Sequence, residues 1–438
     1  MAVASEKTLS EAETLQHSQQ HPAHKYRIYP ERYFVLVTVC LLALSNAMQW
    51  MAYTSLSQET SAYFCQPDVD CDIGYWTNQI FQMVGVFLGV LGMFITDRYG
   101  IRLSIRLGAT CNFVGSAIRF LSAIPALPLS ARSPILHIGS VITASSQAFF
   151  LVLSPKVAEI WFPENQRALA NVVSFIANPL GVAVGTVIPA FVVHGQSVTK
   201  ESYAFFAMNG VFFGLSLCVF VMALFVRHSA PPSPPSASND NHDVPGFMHG
   251  LKILFVTPHF YVELVVFGMG FALGWSFFVV ADEFCINLGY DQLRHSYAHW
   301  GDSFVLLVLC CLIGFFTIPV FPIGIEMCIE STFPVQEATS SGLLVIGGQI
   351  CMFLVVFAMN EAKGLKELIY STAGTSFKFN YYLAVDVWCG FGVFAFLVSI
   401  IFMRPKYKRI EFEKACLLQQ NTASDDDDNN QSISTGRV

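Results

Sequence analysis

Charged residues are scarce in this chain. Asp, Glu, Lys and Arg make up only 13% of its 438 residues, whereas hydrophobic residues make up 54%. The mean hydropathy is +0.52. Soluble domains carry about 25% charged residues, so half that share could not keep the surface of a soluble protein in water. With so few charges and a formal net charge of −7, nucleic-acid binding is not expected either.

The sequence also lacks the motifs of catalysis. It has no Gly-rich phosphate loop, no His/Cys cluster with metal-ligand spacing and no nucleophile motif. We therefore expect no enzyme activity, no metal and no cofactor. Most of the twelve cysteines lie inside apolar runs, and only Cys65 and Cys71 stand in a polar stretch. A disulfide between these two and a pair of free thiols both fit that placement.

The chain contains long apolar runs. A hydrocarbon core of about 30 Å needs a helix of about 20 apolar residues. Helices are expected because a lipid-exposed open sheet leaves backbone groups unpaired, and because these runs are too long for barrel strands. The ten predicted spans are 33–55, 75–96, 103–124, 134–154, 168–193, 203–226, 260–281, 303–324, 339–360 and 382–403. The sequence therefore predicts an all-α membrane protein that crosses the lipid bilayer many times.

Basic residues near the span ends predict the orientation. One face has fourteen Lys and Arg and the other has seven, and the more basic face should be cytoplasmic. Between the sixth and seventh spans the chain is rich in Pro, Ser and Asn, so it reads as a linker between two halves. The predicted domains are a disordered cytoplasmic N-tail at 1–32, a six-helix half at 33–226, a cytoplasmic linker at 227–259, a four-helix half at 260–403 and a cytoplasmic tail at 404–438, unstructured from about 410.

A weak internal repeat relates the two halves. The pattern Glu-x-x-Phe-Pro begins at Glu159 between the fourth and fifth spans, and again at Glu330 between the eighth and ninth. Trp50 precedes Glu159 by 109 residues, but Trp275 precedes Glu330 by only 55. The second half is thus shorter by 54 residues, which is close to two helices with their loops. We expect two spans to be missing between residues 290 and 303.

Several motifs resemble one family. ITDRYGIR after the second span resembles the cytoplasmic loop motif of the major facilitator superfamily, in which Asp97 and Arg98 would staple helix ends. SNAMQW, WFPENQRALAN, NPLGV, APPSPPS and FPVQEATSSG resemble the feline leukaemia virus subgroup C receptor-related transporters, solute carrier family 49. Among them, the branch named major facilitator superfamily domain-containing protein 7 is the most similar. Apart from the gap, the resemblance covers about residues 30 to 405.

The resemblance implies a fold and a function. Family members have twelve helices and alternating access about a central cavity, so this chain would have ten helices (6+4) and lack the eighth and ninth. The implied function is transport of small organic solutes, with choline-like and ethanolamine-like amines favoured over haem. The alternative is a non-transporting truncated isoform that binds or regulates a full-length relative. We expect the plasma membrane rather than an endolysosomal membrane.

Trp50, Trp275 and Gln147 are the expected substrate contacts. The two tryptophans occupy matching places in the two halves, and in choline-handling family members an aromatic residue at each place faces the cavity. Each ring would contribute about 0.5–2 kcal/mol to binding a quaternary amine, and we expect the two rings to form opposite walls. The alternative is an interfacial tryptophan belt. Gln147 lies mid-span, so it faces either the cavity, as a Gln does in the family, or a neighbouring helix.

Further candidates are weaker. Asp282 and Glu283 follow Trp275 by two turns and could be cation or proton partners. Asn178, Pro179 and Gly181 should break the fifth span, and Pro319 with Pro322 should bend the eighth. Other intramembrane amides are Asn46, Gln49, Gln79, Asn112 and Gln349. Glycines expected to let helices pack closely are Gly85, Gly89, Gly92, Gly108, Gly115, Gly181 and Gly185.

Overall fold

The computed structural model describes residues 27–66, 73–193, 202–235, 245–287, 308, 311–371, 382–404, 406–412 and 414–415. Within these ranges all regular elements are helices. They are α1 Glu31–Met51, α2 Ser57–Phe64, α3 Ile73–Tyr99, α4 Ile101–Ser122, α5 Leu129–Ser145, α6 Gln147–Trp161, α7 Glu164–Val192, α8 Ala204–Phe225, α9 Phe247–Val256, α10 Pro258–Asn287, α11 Val320–Thr332, α12 Glu337–Ser371 and α13 Tyr382–Phe402. A 3₁₀ turn lies at Thr54–Leu56, and residues 311–317 form a helical stretch just before α11.

In the described part of the chain, each of the ten expected spans contains a helix. Eight stretches in the described part of the chain are long and apolar enough to cross a membrane. A ninth is added if α9 and the first part of α10, which meet at 87°, count as one span. Of the ten expected spans, the one outside this set is α4, which contains Arg102, Arg106 and Arg119. The all-α, multi-pass fold is confirmed, whereas the number of crossings stays a prediction.

The helix breaks differ in part from the prediction. We expected span five to break near Pro179, but α7 runs without interruption from Glu164 to Val192. A proline inside a membrane helix is tolerated where neighbouring groups satisfy the freed backbone. The fourth span is interrupted instead, at Ser146 between α5 and α6, immediately before Gln147. At Pro319 a turn over residues 318–319 separates residues 311–317 from α11, which continues through Pro322, and the expected bend of this span stays a prediction.

Parts of the predicted linker and of the predicted C-terminal tail are helical. Within the predicted linker, α9 is an apolar helix whose Leu254 is fully buried. Within the tail, residues 408–412 are helical and Arg409 is buried. The first segment has apolar area to bury, and the second has charged partners for its buried Arg409. A disordered stretch has neither.

Small residues let the helices approach closely, as the glycine pattern predicted. A Cβ added at Gly181 would overlap the backbone of Leu44, so α7 packs directly on α1. Gly92 packs in the same way against Ala148 of α6. Gly85 of α3 lies against a side chain of α12, which brings the two halves together. These contacts hold α1, α3, α6 and α7 around one interior space.

Candidate functional site

A cavity of about 400 Å³ lies between the two halves. Its walls come from α1, α3, α6 and α7 of the first half, and from α10 and residues 317–322 of the second. None of the described side chains that line it carries a charge. Small-molecule sites commonly enclose about 300–1,000 Å³ and are mostly apolar with a few polar groups. The cavity therefore suits a small organic molecule.

Aromatic rings form a continuous surface along this cavity. The ring centroids of Trp50 and Trp275 are 5.3 Å apart, and those of Trp275 and Phe271 are 6.3 Å apart. The chain of contacts continues from Phe271 to Phe321 at 5.4 Å and from Phe321 to Phe175 at 4.6 Å. All five residues line the cavity. The sequence analysis missed the three phenylalanines, because nothing distinguishes them among the 40 phenylalanines of the chain.

The two tryptophans do not form opposite walls as expected. Carbon atoms in contact lie about 3.5–4 Å apart, so an ammonium group between two facing rings needs roughly twice that distance. At 5.3 Å and a tilt of 56°, the rings touch each other and form one corner of the cavity. Trp50 is 5% exposed and Trp275 is half-buried. Trp50 therefore lies inside the protein and not in an interfacial belt.

Two glutamines stand beside the tryptophans. Gln147 begins α6, Gln82 lies on α3, and both are buried side chains that line the cavity. The Oε1 atom of each is buried without a hydrogen-bond donor in the described structure. A buried acceptor left unpaired costs about 1–3 kcal/mol, so each oxygen is poised to accept from a bound solute. Gln82 was missed, although as a mid-span amide it carried the same signal as Gln147.

The weaker amide candidates have other surroundings. Asn46 Nδ2 donates to Asn112 Oδ1 at 3.0 Å, and Gln49 Nε2 donates to the same oxygen at 3.3 Å. These three are buried inside the first half and do not line the cavity, so they join helices. Gln349 is buried at the α3–α12 contact, and neither of its amide atoms has a partner in the described structure. Gln79 is half-buried outside the lining.

Some of the predicted residues lie outside the described part of the structure. The side chains of Asp282 and Glu283 lie outside the described residues, although the backbone of α10 continues through them to Asn287. Their role as cation or proton partners stays a prediction. Cys65 is disulfide-bonded, and its partner lies outside the described residues, as does Cys71. The Cys65–Cys71 pairing therefore also stays a prediction.

Polar contacts join the halves at the predicted cytoplasmic face. Asp97 at the end of α3 lies 3.5 Å from Lys156 Nζ and accepts a hydrogen bond from Thr339 Oγ1 on α12. Lys156 also pairs with Glu159 at 2.7 Å. Arg98, which we expected to staple helix ends, is exposed and has no ion pair in the described structure. It follows Asp97 by one position, about 100° around the helix, so it points away from the partner that Asp97 contacts.

The start of the C-terminal tail adds to this face. Arg409 Nη1 lies 2.7 Å from Glu337 Oε1, and Arg409 Nε lies 4.0 Å from Glu330 Oε1. The backbone N–H of Ile410 donates to Glu330 Oε2 at 3.2 Å. These contacts tie the tail to the ends of α11 and α12. The carboxylates of the repeated Glu-x-x-Phe-Pro pattern, Glu159 and Glu330, thus each take part in an ion pair.

Two helical halves around an uncharged central cavity, joined by polar contacts at one face, are the arrangement of a two-half membrane transporter. The sequence model described as Major Facilitator Superfamily matches residues 35–404, and the chain belongs to this superfamily of transporters, not to a family of enzymes. Solute carrier family 49 member A3 of Xenopus tropicalis is 26% identical over 449 aligned positions, covering 88% of this chain and 90% of the relative. The resemblance to solute carrier family 49 is thereby confirmed.

The chain is also similar to a second transporter sequence and to a solved transporter structure. Choline/ethanolamine transporter FLVCR1 of Felis catus is 24% identical, with 78% of this chain and 69% of the relative covered. Among solved structures, a double-tryptophan mutant of XylE gives a TM-score of 0.61 at 13% identity, covering 87% of this chain and 98% of XylE. At that identity the likeness concerns the fold alone.

Proposed function

We propose that this chain is a carrier of small organic amines of the choline and ethanolamine class, which it moves by alternating access at the cavity. The observation that supports this is the contact of Trp50 with Trp275 beside two glutamine oxygens that lack donors. An ammonium group in the corner formed by the rings would lie near both π faces. The hydroxyl group of either solute, and the N–H groups of ethanolamine, would satisfy Gln147 and Gln82.

The magnitudes agree with such a role. Two rings around a desolvated cation contribute about 1–4 kcal/mol together, which alone corresponds to millimolar binding at best, since 1 mM is about −4.1 kcal/mol. A hydrogen bond between a charged donor and an amide oxygen adds about 1.5–3 kcal/mol. For ethanolamine, the rings and one such hydrogen bond together give about 2.5–7 kcal/mol before the costs of binding, which is less than the roughly 8.2 kcal/mol of micromolar binding. Ethanolamine depends more on the amides, and choline more on the rings.

Haem fits this cavity less well. Its two propionates would need basic partners, and the described lining has none. A quaternary or primary amine has no such requirement, since aromatic faces and amide oxygens stabilise it. The name of the FLVCR1 relative, a choline/ethanolamine transporter, supports the same choice.

Alternating access would use the contacts at the predicted cytoplasmic face. The hydrogen bond from Thr339 to Asp97 joins α12 to α3, so it must break for the halves to part at that face. The interruptions at Ser146 and at 318–319 lie close to cavity residues and offer hinge points. We propose the plasma membrane as the location, because a carrier of soluble amines acts there on solutes outside the cell.

Uptake of labelled choline and ethanolamine tests the proposal. Cells that display the wild-type chain at the plasma membrane should take up at least one of the two above the empty-vector level. Trp50→Ala should lower that uptake by about tenfold, the factor for 1.4 kcal/mol. Equal uptake by wild type, Trp50→Ala and empty vector, with surface expression shown, would reject amine transport.

That outcome would favour a second candidate function, a non-transporting form that binds or regulates a full-length relative. The 54-residue shortfall of the second half is the observation behind it. The alignment to the Xenopus tropicalis relative extends over 449 positions, although only 88% of the 438-residue chain takes part. Some aligned positions of the relative therefore have no counterpart in this chain. Co-purification with a full-length solute carrier family 49 protein, absent for an unrelated transporter, would support this candidate.

A further inference from the structure

One side of the cavity reaches the outer surface of the helical bundle. Ile176 on α7 and Ile318 just before α11 both line the cavity, yet they are 52% and 42% exposed. Ala183, two turns along α7, also lines the cavity and is exposed. All three lie in the middle of stretches that are apolar enough to cross a membrane. The cavity is therefore continuous with the surface that faces the hydrocarbon core.

Two contacts in the described part of the chain join the helices on either side of this opening. The rings of Phe175 and Phe321 are 4.6 Å apart, and Asn171 Nδ2 donates to Glu326 Oε2 at 3.3 Å. Among the described residues, no hydrogen bond or ring contact joins α7 to residues 311–319. The ring contact thus lies in the cavity wall and the hydrogen bond lies on one side of it; the exposed stretch at Ile176, Ala183 and Ile318 is the lateral gap.

The gap is apolar although it contains threonines. Thr186 Oγ1 donates to the carbonyl oxygen of Ala183 at 2.8 Å, and Thr317 Oγ1 donates to that of Ile313 at 2.6 Å. Both hydroxyl protons are therefore used by the helices themselves. Asn178 is the remaining polar side chain on this side. The unpaired amide oxygens of the lining belong to α3 and α6, whereas the exposed apolar side chains of the opening belong to α7 and to the stretch before α11.

We propose that the cavity accepts amphipathic amines, with the ammonium head at Trp50 and Trp275 and an alkyl chain that leaves through the lateral gap into the bilayer. This rests on the proposed function, because the head group would use the same contacts as a small amine. A chain in the gap stays in an apolar environment along its whole length. The open side therefore removes the limit that a closed cavity of about 400 Å³ would set on chain length.

A homologous series of alkyltrimethylammonium ions tests this proposal. The full chain is placed in nanodiscs whose lipids carry neither choline nor ethanolamine head groups, and displacement of labelled choline is measured from the tetramethyl to the dodecyl member. Potency should rise by about fourfold per methylene, or about 0.8 kcal/mol, while the chain lies in the cavity, and then stay level. A sharp fall in potency beyond a short chain, with normal choline binding, would overturn the lateral gap and leave the proposed function standing.

A matched pair of variants separates the gap from a general membrane effect. Ile176 and Leu180 are both 52% exposed on α7, but only Ile176 lines the cavity. Ile176→Trp should narrow the gap and lower the dodecyl-to-tetramethyl potency ratio by at least tenfold. Leu180→Trp should keep the wild-type ratio. Equal potency ratios in the two variants would overturn the proposed lateral gap. Folded protein that binds neither choline nor any member of the series would overturn both the lateral gap and the proposed function.

Discussion

Replacing Trp50 by leucine removes one of the two rings while it keeps an apolar side chain in place. A desolvated cation–π contact contributes about 0.5–2 kcal/mol per ring. Trp50 is 5% exposed and touches Trp275, so the upper half of that range applies. We expect the Kd for choline to rise by about 5- to 30-fold, which corresponds to about 1–2 kcal/mol.

The same substitution also weakens the fold. Trp50 Nε1 donates to Asn78 Oδ1 at 3.3 Å, and a buried aromatic side chain cut back to alanine costs about 3–5 kcal/mol of stability. Leucine costs less, but its effect still has to be separated from binding. Trp161 on α6 is a suitable control, because it is 2% exposed and does not line the cavity. Trp161→Leu should lower the Tm similarly and leave the Kd for choline unchanged.

The assay compares choline with its uncharged carbon analogue, 3,3-dimethylbutanol, on folded protein. Both have the same shape, so lost packing weakens them equally, whereas a lost cation–π contact weakens only choline. We expect Trp50→Leu to reduce the preference for choline, and Trp50→Phe to keep most of it because an aromatic face remains. Equal weakening of both ligands by Trp50→Leu would refute the cation–π reasoning and leave Trp50 as a packing residue.

Three further perturbations follow from the described contacts. Gln147→Leu removes an unpaired buried oxygen, so the Tm without ligand should rise or stay level. Binding of ethanolamine should weaken at least fivefold, which is more than the loss expected for tetramethylammonium. A lower Tm with unchanged binding would contradict this. Thr339→Val removes a hydrogen bond between the halves worth about 1 kcal/mol. A thiol reagent added at the predicted cytoplasmic side should then label Leu151→Cys, a position in the cavity wall, about fivefold faster. An unchanged rate would argue against a role of this hydrogen bond in closing that face. Gly92→Ala should lower the Tm sharply, because its Cβ would overlap a backbone carbonyl of α6. Gly214→Ala, which has no neighbour within 4 Å, should be neutral or slightly stabilising. Similar Tm values for the two variants would show that α3 and α6 are less tightly packed.

Hydropathy predicts how deep a residue lies in the membrane but not which way it faces. Trp50, Trp275 and Gln147 were found because each stands out by residue type or by its matching place in the other half. Phe271 and Phe321 line the same cavity, yet an apolar residue mid-span has no signal for the inward direction. That direction depends on the rotation of each helix, which packing between the two halves sets. The sequence therefore predicted lining residues of an unusual type or matching place and missed the phenylalanines.

Helix interruptions show a similar limit. A turn at 318–319 interrupts the helix where Pro319 stands, whereas Pro179 stays within a continuous α7. The difference lies in the surroundings, since α7 packs on α1 through Gly181, which approaches the backbone of Leu44. The interruption at Ser146 has no proline at all. Local residue type is thus a weak guide where close packing between helices compensates for a lost backbone hydrogen bond.

The lateral gap bears on whether a chain with a shortened second half can still hold a small cation. An ammonium group that moved sideways through the gap would enter hydrocarbon, which costs a charged group at least about 2.5–3.5 kcal/mol even on the most favourable scale. An alkyl chain meets no such cost, because the gap and the bilayer are equally apolar. The bilayer itself would therefore retain a small cation at Trp50 and Trp275 while it admits a hydrocarbon chain. A missing protein wall at the lateral gap is thus compatible with amine binding, whereas the same opening beside Gln82 and Gln147 would expose their amide oxygens to lipid.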